Sequence, residues 1–208
     1  MPHVLEKVER RLGEKLFLKG ERCLGPKCAV VRRAYPPGAH GKKSGRRRTA
    51  SDFSKLLTEK QKIRFLYGLD DRDVERYSRE ASLKKGIFRE TFLSLLERRL
   101  DNTVFRLGFA ESRSAGRQIV GHGHVLLNGR AITIPSCRVR EGDAIGFTER
   151  AWRLGIAAGF EQRIKKYEPP AWLRWNAEKR VGEVVRLPHE EDAGVTLDPV
   201  KVKEFYSR

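Results

Sequence analysis

An Asn-Gly pair between two apolar runs dictates the local fold near the middle of the chain. Val125-Leu126-Leu127 precedes Asn128-Gly129, and Arg130-Ala131-Ile132-Thr133 follows it. Asn-Gly readily adopts the positive φ angles of a type I′ turn, whose twist matches that of paired strands. The sequence therefore predicts a tight hairpin here, with further short strands at Cys137 to Arg140 and Ala144 to Thr148.

Two amphipathic helices are predicted directly before this hairpin. The first covers Thr91 to Leu107 and ends at Gly108, and the second is capped by Ser112 and runs through Val120. Apolar side chains repeat every fourth residue on one face of the first helix, at Phe92, Leu96, Leu100 and Val104. Two helices at a short turn and a small twisted, mostly antiparallel sheet make a compact module over residues 91–150.

The rest of the sequence is mainly helical. Helical periodicity covers four further segments, residues 4–18, 51–68, 70–85 and 151–168. Ser51 and Asp52 form a capping pair at the start of the second. Gly, Pro and basic residues make residues 23–51 a loop, and Val181 to Leu187 is predicted as a strand. We therefore predict an α+β protein in three parts: a helical domain over residues 1–90 with a basic arm at about 20–50, the module over 91–150, and a C-terminal helix and tail over 151–208 that packs back.

Positive charge is concentrated near the N-terminus. The 208 residues carry a formal net charge of +17, and residues 1–50 account for +10 of it. Charged residues make up 34% of the sequence, above the usual ~25%. This pattern is typical of a surface that binds a polyanion such as nucleic acid. A solvated basic tail is the alternative, but such a tail has no need of Tyr35-Pro36-Pro37-Gly38 or of two cysteines.

Three sequence features indicate where the protein works. Apolar runs stay far below the ~18 residues of a membrane-spanning helix. The first residues include Glu6, Glu9 and Glu14, unlike a signal or transit peptide. Three cysteines without regular spacing favour a reducing compartment over a disulfide scaffold. We expect a cytoplasmic protein with no membrane contact.

Several motifs match those of one known family. They are Leu100-Asp101-Asn102-Thr103-Val104-Phe105-Arg106-Leu107-Gly108-Phe109-Ala110, Ser112-Arg113, His122-Gly123-His124-Val125 with Asn128-Gly129, Leu18-Lys19-Gly20-Glu21-Arg22-Cys23 with Pro26-Lys27-Cys28, Arg32-Arg33 with Tyr35-Pro36-Pro37-Gly38 and His40-Gly41, Glu59-Lys60-Gln61-Lys62 with Tyr67-Gly68, and Glu204-Phe205-Tyr206-Ser207-Arg208. Together they span nearly the whole chain. The sequence closely resembles the small-subunit (30S) ribosomal protein S4 family, uS4, in its bacterial form.

This resemblance implies a structural constituent of the small ribosomal subunit and not an enzyme, with an S4 RNA-binding domain at 91–150. It implies that the protein binds 16S rRNA directly and early, and that this binding nucleates assembly of the 5′ domain. It also implies that the protein contributes to the path by which mRNA enters the subunit and to translational accuracy. Some family members also bind their own messenger. The implied partners are 16S rRNA, mRNA and the neighbouring proteins uS5 and uS3. No cofactor, no membrane and no homo-oligomer are implied, and the protein would be cytoplasmic and ribosome-bound.

The side chains expected to contact RNA are basic, aromatic, imidazole or amide groups in these motifs and in the basic arm. They are Lys19, Arg22, Lys27, Arg32, Arg33, Tyr35, His40, Lys42, Lys43, Arg46, Arg47, Arg48, Lys60, Lys62, Arg64, Tyr67, Arg113, Arg117, Gln118, His122, His124, Asn128 and Arg130. Folded RNA is recognised mainly through phosphate, shape and the 2′-hydroxyl. Arg113 and Arg117 share one helical face, where guanidinium groups suit bidentate phosphate contact. Taken singly, Gln118 could equally be helix surface, and His122 and His124 could fill a turn.

The cysteines depart from the pattern of the zinc-bearing family members, which carry two cysteine pairs near the N-terminus. Here only Cys23 and Cys28 remain, and Glu6 and Glu9 stand where the first pair would be. A structural zinc site uses four ligands, usually thiolate or imidazole. We expect no zinc and only a residual half-site, and a mixed site that includes His3 is the alternative.

The second departure lies in the helix expected to recognise RNA. Ser114, Gly116 and Gly121 stand where a fuller set of basic residues is expected. A glycine within a helix costs about 0.5–1 kcal/mol relative to alanine. This composition calls into question the strength of RNA contact by the helix, though not the fold.

Other functions compete with the ribosomal one. Pseudouridine synthases carry the same module, and Arg99-Leu100-Asp101 resembles their catalytic tripeptide, with Asp101 as base or nucleophile. The residues after the module are too few for the catalytic domain of such an enzyme. A hydrolase built on His122, His124 and Cys137 lacks a carboxylate or nucleophile at motif spacing. An RNA chaperone would not need residues 1–90.

Overall fold

The computed structural model describes residues 5–39, 41, 51–157, 160, 163–164, 167–194 and 197–207. The chain divides into two compact units, one that runs to Leu83 and includes the C-terminal helix, and one from Lys84 to Gly194. Within the described ranges we find no helix with the length and apolarity needed to cross a bilayer.

The described residues combine helices with one sheet, which confirms the predicted α+β class. The helices are α1 (Leu5–Leu12), α2 (Ala29–Arg32), α3 (Asp52–Leu66), α4 (Asp71–Leu83), α5 (Phe88–Glu97), α6 (Leu100–Arg106), α7 (Arg113–Gly121), α8 (Glu149–Arg153) and α9 (Pro199–Ser207). The strands are β1 (Val125–Leu127), β2 (Arg130–Ile132), β3 (Ala144–Phe147), β4 (Leu173–Asn176) and β5 (Val181–Val184). Short 3-10 turns lie at Gly20–Cys23 and Glu190–Ala193.

The first helix is shorter than the predicted helix over residues 4–18. α1 ends at Leu12 because Gly13 adopts a φ of 75°, the left-handed conformation that terminates helices. Leu16 and Leu18 are nevertheless buried. The apolar spacing therefore identified Leu16 as a core residue correctly but assigned it to a helix that had already ended.

Helices α3, α4 and α9 share the core of the first unit. Ser51 caps α3 by accepting a hydrogen bond from the Ser54 N–H (3.3 Å), as the sequence predicts. The C-terminal motif packs here too: the Phe205 ring lies 5.7 Å from that of Phe53, and the Tyr206 hydroxyl donates to the Asp71 carbonyl (3.3 Å). Burial, with the nearby negative charge of Asp71, raises the pKa of Tyr206 to about 12. The tail residues are therefore part of the folded unit.

In the second unit, the predicted helix over residues 91–107 is broken into α5 and α6. The backbone at the break pairs with a distant segment: the Val139 N–H donates to the Arg98 carbonyl (2.9 Å), and the Leu100 N–H donates to the Cys137 carbonyl (2.8 Å). The segment at 137–140, which was expected to be a strand, pairs with this break instead and forms a single β-bridge between Arg99 and Arg138.

The sheet is antiparallel throughout, in the order β2-β1-β3-β5-β4. The predicted hairpin is confirmed, because Asn128 and Gly129 have φ angles of 50° and 78° and join β1 to β2. Strand β4 was not predicted. The predicted helix over residues 151–168 lies partly outside the described residues, and α8 covers its beginning.

The core of the second unit lies between the sheet and helices α6 and α7. Its aromatic centre is Phe109, whose ring lies 4.5 Å from Phe147 and 4.7 Å from Phe160. Helix α7 approaches α6 closely at Gly116, where a Cβ would lie 2.7 Å from the Asp101 carbonyl oxygen. This close approach gives the physical reason for a glycine inside α7.

Candidate nucleic-acid interface

A cleft of about 270 Å³ in the first unit collects positive charge. Six of its lining residues are basic and one, Glu6, is acidic; the basic ones are Lys7, Arg10, Arg22, Lys27, Arg32 and Arg33. Four of these were expected to contact RNA, whereas Lys7 and Arg10 were missed because α1 has the pattern of an ordinary amphipathic helix. A surface of this kind attracts phosphate groups. We call it the basic cleft.

Arg10 fixes the far wall of the basic cleft. Its Nε donates to the carbonyls of Arg33 (3.0 Å) and Tyr35 (3.1 Å), and its guanidinium lies 4.8 Å from the centre of the Tyr35 ring. One face of Tyr35, a predicted RNA contact, is therefore covered by a side chain of this protein. Lys19 and Arg22 lie 3.9 Å and 3.1 Å from Glu6 and remain substantially exposed.

Beside the basic cleft, a buried carboxylate accepts backbone hydrogen bonds from the segment between α1 and α2. Glu9 is fully buried, and its Oε1 accepts the backbone N–H of Leu16 (3.0 Å) and Leu18 (3.2 Å). Cys23 and Cys28 are buried in the same region as free thiols. Burial raises the pKa of the Cys23 thiol, and the nearby Glu9 charge adds to this shift. Cys23 is therefore held as a neutral thiol.

The structure places the motif around Lys60 inside the first unit. The Lys60 ammonium lies 2.9 Å from an Asp71 oxygen and 4.6 Å from the centre of the Phe205 ring. Lys62 pairs with Glu14 and Glu59; burial alone would lower its pKa, but these hydrogen bonds raise it. Both lysines are buried, with Lys60 paired to α4 and Lys62 paired to the segment after α1, whereas the sequence predicts RNA contact for both.

Two neighbours of these lysines, also expected to contact RNA, are engaged or buried as well. Arg64 is partly buried, and its Nη1 lies 3.4 Å from Asp71. Tyr67 is buried at the end of α3. All four of these side chains, Lys60, Lys62, Arg64 and Tyr67, are thus buried or paired within the unit.

In the second unit, Arg113 faces a buried polar network. Its Nε donates to the Asn102 side-chain oxygen (2.7 Å), and its guanidinium lies 3.8 Å from an oxygen of the fully buried Glu97. Asn102 in turn donates to Glu97 (2.8 Å), which also receives two hydrogen bonds of 2.9 Å from Arg106. Arg113 is 14% exposed and so braces α7 against α6.

The rest of α7 presents polar groups to solvent. Arg117 is 47% exposed, with its Nη1 3.9 Å from Asp101. Gln118 and His122 are exposed on the same helix and at its C-terminal cap. Arg113 and Arg117 were expected to act together, but the structure separates them into an internal brace and a surface cation.

The expected RNA contacts in and beside the hairpin also differ in exposure and in partners. His124 is buried, and its burial lowers its pKa, as do the charges of Arg150 and His122. Asn128 uses its amide within the protein, donating to Asp143 (2.7 Å) and accepting from the Ala144 N–H (2.8 Å). Arg130 is exposed on β2. The remaining expected contacts lie outside the described residues: His40, Lys42, Lys43, Arg46, Arg47 and Arg48.

Comparison with known sequences decides the family. Residues 3–97 match the family described as Ribosomal protein S4/S9 N-terminal domain, and residues 98–145 match the S4 domain. The Small ribosomal subunit protein uS4 of Thermus thermophilus is 48% identical over 199 residues, which cover 96% of this chain and 94% of the relative. The proteins of the same name from Syntrophomonas wolfei and Natranaerobius thermophilus are 46% and 43% identical with the same coverage. The chain belongs to the uS4 family.

Membership in the uS4 family confirms the expected non-enzymatic, structural class. The geometry at Asp101 agrees with it. Arg99 donates two hydrogen bonds to the Asp101 carboxylate, at 3.1 Å and 2.8 Å, and the Asn102 N–H donates a third at 2.8 Å. These three hydrogen bonds give the buried Asp101 carboxylate a structural role at the start of α6.

The residues present do not fit the zinc site of the zinc-bearing uS4 proteins. Glu9 is committed to two backbone N–H groups, and Glu6 is paired with Arg22. Within the described ranges, no group of three or more His, Cys, Asp and Glu side chains is arranged to hold a metal ion. His3 lies outside those ranges. The two carboxylates instead tether the segment after α1 directly.

We therefore expect the purified protein to contain well under one equivalent of zinc and to keep its thermal midpoint in the presence of a chelator. Structural zinc contributes folding free energy, so its removal would lower that midpoint. Native mass spectrometry and thermal unfolding with and without EDTA measure both properties. Stoichiometric zinc in the native protein would contradict the expectation and point to His3 with the cysteines.

Proposed function

We propose that this chain is a primary 16S rRNA-binding protein of the small ribosomal subunit, attached to RNA through both of its units. The basic cleft carries the proposal for the first unit, since six cations converge there around a single carboxylate. Cations clustered in this way release condensed counterions when they meet RNA phosphates, which makes binding favourable at low salt. The basic arm beyond it adds to the charge.

In the second unit, the proposed RNA surface is the exposed end of α7 with the hairpin. Arg117, Gln118, His122 and Arg130 offer cationic and hydrogen-bonding groups to phosphate and ribose. Arg113, largely buried against Asn102 and Glu97, supports α7 from behind this surface, and Asn128 orders the exposed hairpin turn through Asp143 and Ala144. The surface therefore depends in part on a side chain, Arg113, that lies beneath it.

The finer parts of the proposal rest on family membership. We infer that the protein nucleates assembly of the 5′ domain, contributes to the path of mRNA into the subunit and to translational accuracy, and contacts uS5 and uS3 as a single copy. Autoregulatory binding to its own messenger is part of the same proposal. Its place would be the cytoplasm, on the small subunit. Co-sedimentation with small subunits at moderate salt tests the assembly role and distinguishes it from that of a free RNA chaperone.

Neutralising the basic cleft should weaken RNA binding and flatten its salt dependence. In the variant Arg22→Gln, Lys27→Gln, Arg32→Gln and Arg33→Gln, the slope of log affinity against log salt should become shallower by up to about 0.9 for each phosphate that is no longer neutralised. Filter binding to the 5′ domain of 16S rRNA over a salt series measures this slope.

The matched control removes the same number of charges from an exposed face of α4 and the segment after it. Its substitutions are Arg72→Gln, Arg76→Gln, Arg79→Gln and Lys85→Gln, all at exposed positions. This control should lose less affinity and keep a steeper slope. Equal effects in the two variants would show that the basic cleft contributes to RNA binding only through the total charge of the protein and is not a specific contact site.

A further inference from the structure

The outer face of the sheet in the second unit carries a groove that is lined by β1, β3 and β5 and lies apart from the exposed end of α7. Leu126, Gly146 and Val181 are direct cross-strand neighbours on β1, β3 and β5. Of their neighbours along the strands, Val125 and Ile145 are buried in the core. The groove has a volume of about 300 Å³ and is bounded by the hairpin turn, α8 and the turn between β4 and β5.

Small residues keep this groove open. Gly146 lies at its floor, and a Cβ there would already be 3.3 Å from the Val181 side chain. Ala144 is the next residue on the same face of β3. The floor is therefore a shallow apolar strip between Leu126 and Val181, with room for a flat group.

The wall of the groove joins an aromatic ring to positive charge. The Arg180 guanidinium lies 5.3 Å from the centre of the Trp152 ring, and Lys179 and Arg180 are both exposed. Glu149 is the single acidic residue of the lining. Arg180 also has a φ of 53°, which is rare for a residue with a side chain. Backbone conformations of this kind concentrate at ligand contacts, where the surroundings enforce them.

We propose that this groove binds single-stranded RNA, with one base on the apolar strip beside Trp152 and its phosphate at Lys179 and Arg180. Aromatic rings and guanidinium planes stack on bases, and flanking cations hold the backbone. The volume suits one nucleotide and excludes a duplex. This inference rests on the proposed function in one respect, that the polymer bound is RNA. The groove itself is separate from the basic cleft and from the exposed end of α7.

The test uses the full chain, a six-residue oligoadenylate and tryptophan emission. Trp172 is fully buried, whereas Trp152 and Trp175 are both partly buried, so quenching that disappears in Trp152→Phe is assigned to Trp152. Arg180→Gly removes the guanidinium and places glycine, which accepts positive φ, at this position. Trp152→Phe keeps an aromatic ring in place, and Arg140→Ala is a control with the same change of charge at another exposed turn.

Oligoadenylate should quench the emission of the wild type and of Arg140→Ala, and not that of Trp152→Phe. Arg180→Gly should need at least about fivefold more oligonucleotide, the scale of removing one stacking interaction. Unchanged binding by Arg180→Gly, or equal competition by an oligoglutamate of the same charge, would overturn the inference. Binding of the wild type to the 5′ domain of 16S rRNA is measured in parallel, so failure of the proposed function would be visible separately.

Discussion

Replacing Glu97 with alanine is expected to lower the free energy of unfolding of the second unit by about 3–5 kcal/mol, the range seen when one partner of a buried ion pair is removed. Glu97 is fully buried and receives hydrogen bonds from Arg106 and Asn102. Without it, the largely buried Arg106 guanidinium loses its counter-charge, and the brace formed by Arg113 loses its anchor. Urea denaturation at neutral pH measures the change.

Glu149→Ala is the matched control for this prediction. Glu149 is almost fully exposed on α8, and its partner Arg153 lies 3.8 Å away. Exposed pairs of this kind contribute little, so the unfolding midpoint should stay close to that of the wild type. A midpoint for Glu97→Ala as high as that of Glu149→Ala would mean that the buried network is dispensable.

Local sequence signals predicted the elements whose bonds are local. The Asn128-Gly129 turn, the Ser112 cap of α7 and the Ser51 cap of α3 all form through contacts a few residues apart. These signals are reliable because the residue that gives the signal also forms the structure. A capping oxygen accepts a nearby backbone N–H, and a turn residue adopts the φ angle that the turn requires. The predictions at these positions were confirmed in type and nearly in extent.

Elements shaped by distant contacts could not be predicted in the same way. The break between α5 and α6 depends on two backbone hydrogen bonds with residues about forty positions later: the Arg98 carbonyl accepts from the Val139 N–H, and the Leu100 N–H donates to the Cys137 carbonyl. The apolar periodicity of a helix contains no information about a hydrogen-bond partner so far along the chain. Strand β4 is held as the edge strand by β5, which supplies its backbone partners. Gly13 is the exception, because it ends α1 through its own left-handed conformation and needs no distant partner, whereas the predicted helix runs past it to residue 18.

The candidate site shows the same limit. Charge and motif select basic residues as a class but do not show which of them reach solvent. Lys60 is buried by Phe205, which is distant in sequence, and Arg113 is held by Asn102 of the preceding helix. Arg117, one turn further along α7, stays exposed. Whether a cation braces the fold or meets a ligand is thus decided by tertiary partners.

Gly116→Ala tests how closely α6 and α7 must approach. In an unconstrained helix this substitution stabilises by about 0.5–1 kcal/mol. Here the new Cβ would lie 2.7 Å from the Asp101 carbonyl oxygen, a backbone atom that cannot swing aside. We expect the opposite sign, a decrease of about 1–3 kcal/mol in the free energy of unfolding as the helices are forced apart. Thermal or urea unfolding measures it.

Gly121→Ala supplies the contrast, because the same added methyl at the last residue of α7 meets nothing within 4 Å. It should leave stability unchanged or slightly raised. Affinity for the 5′ domain of 16S rRNA should fall only for Gly116→Ala, since displacement of α7 moves Arg117 and Gln118 together. Equal stability of the two variants would show that the helices can separate freely and that Gly116 is not needed for their contact.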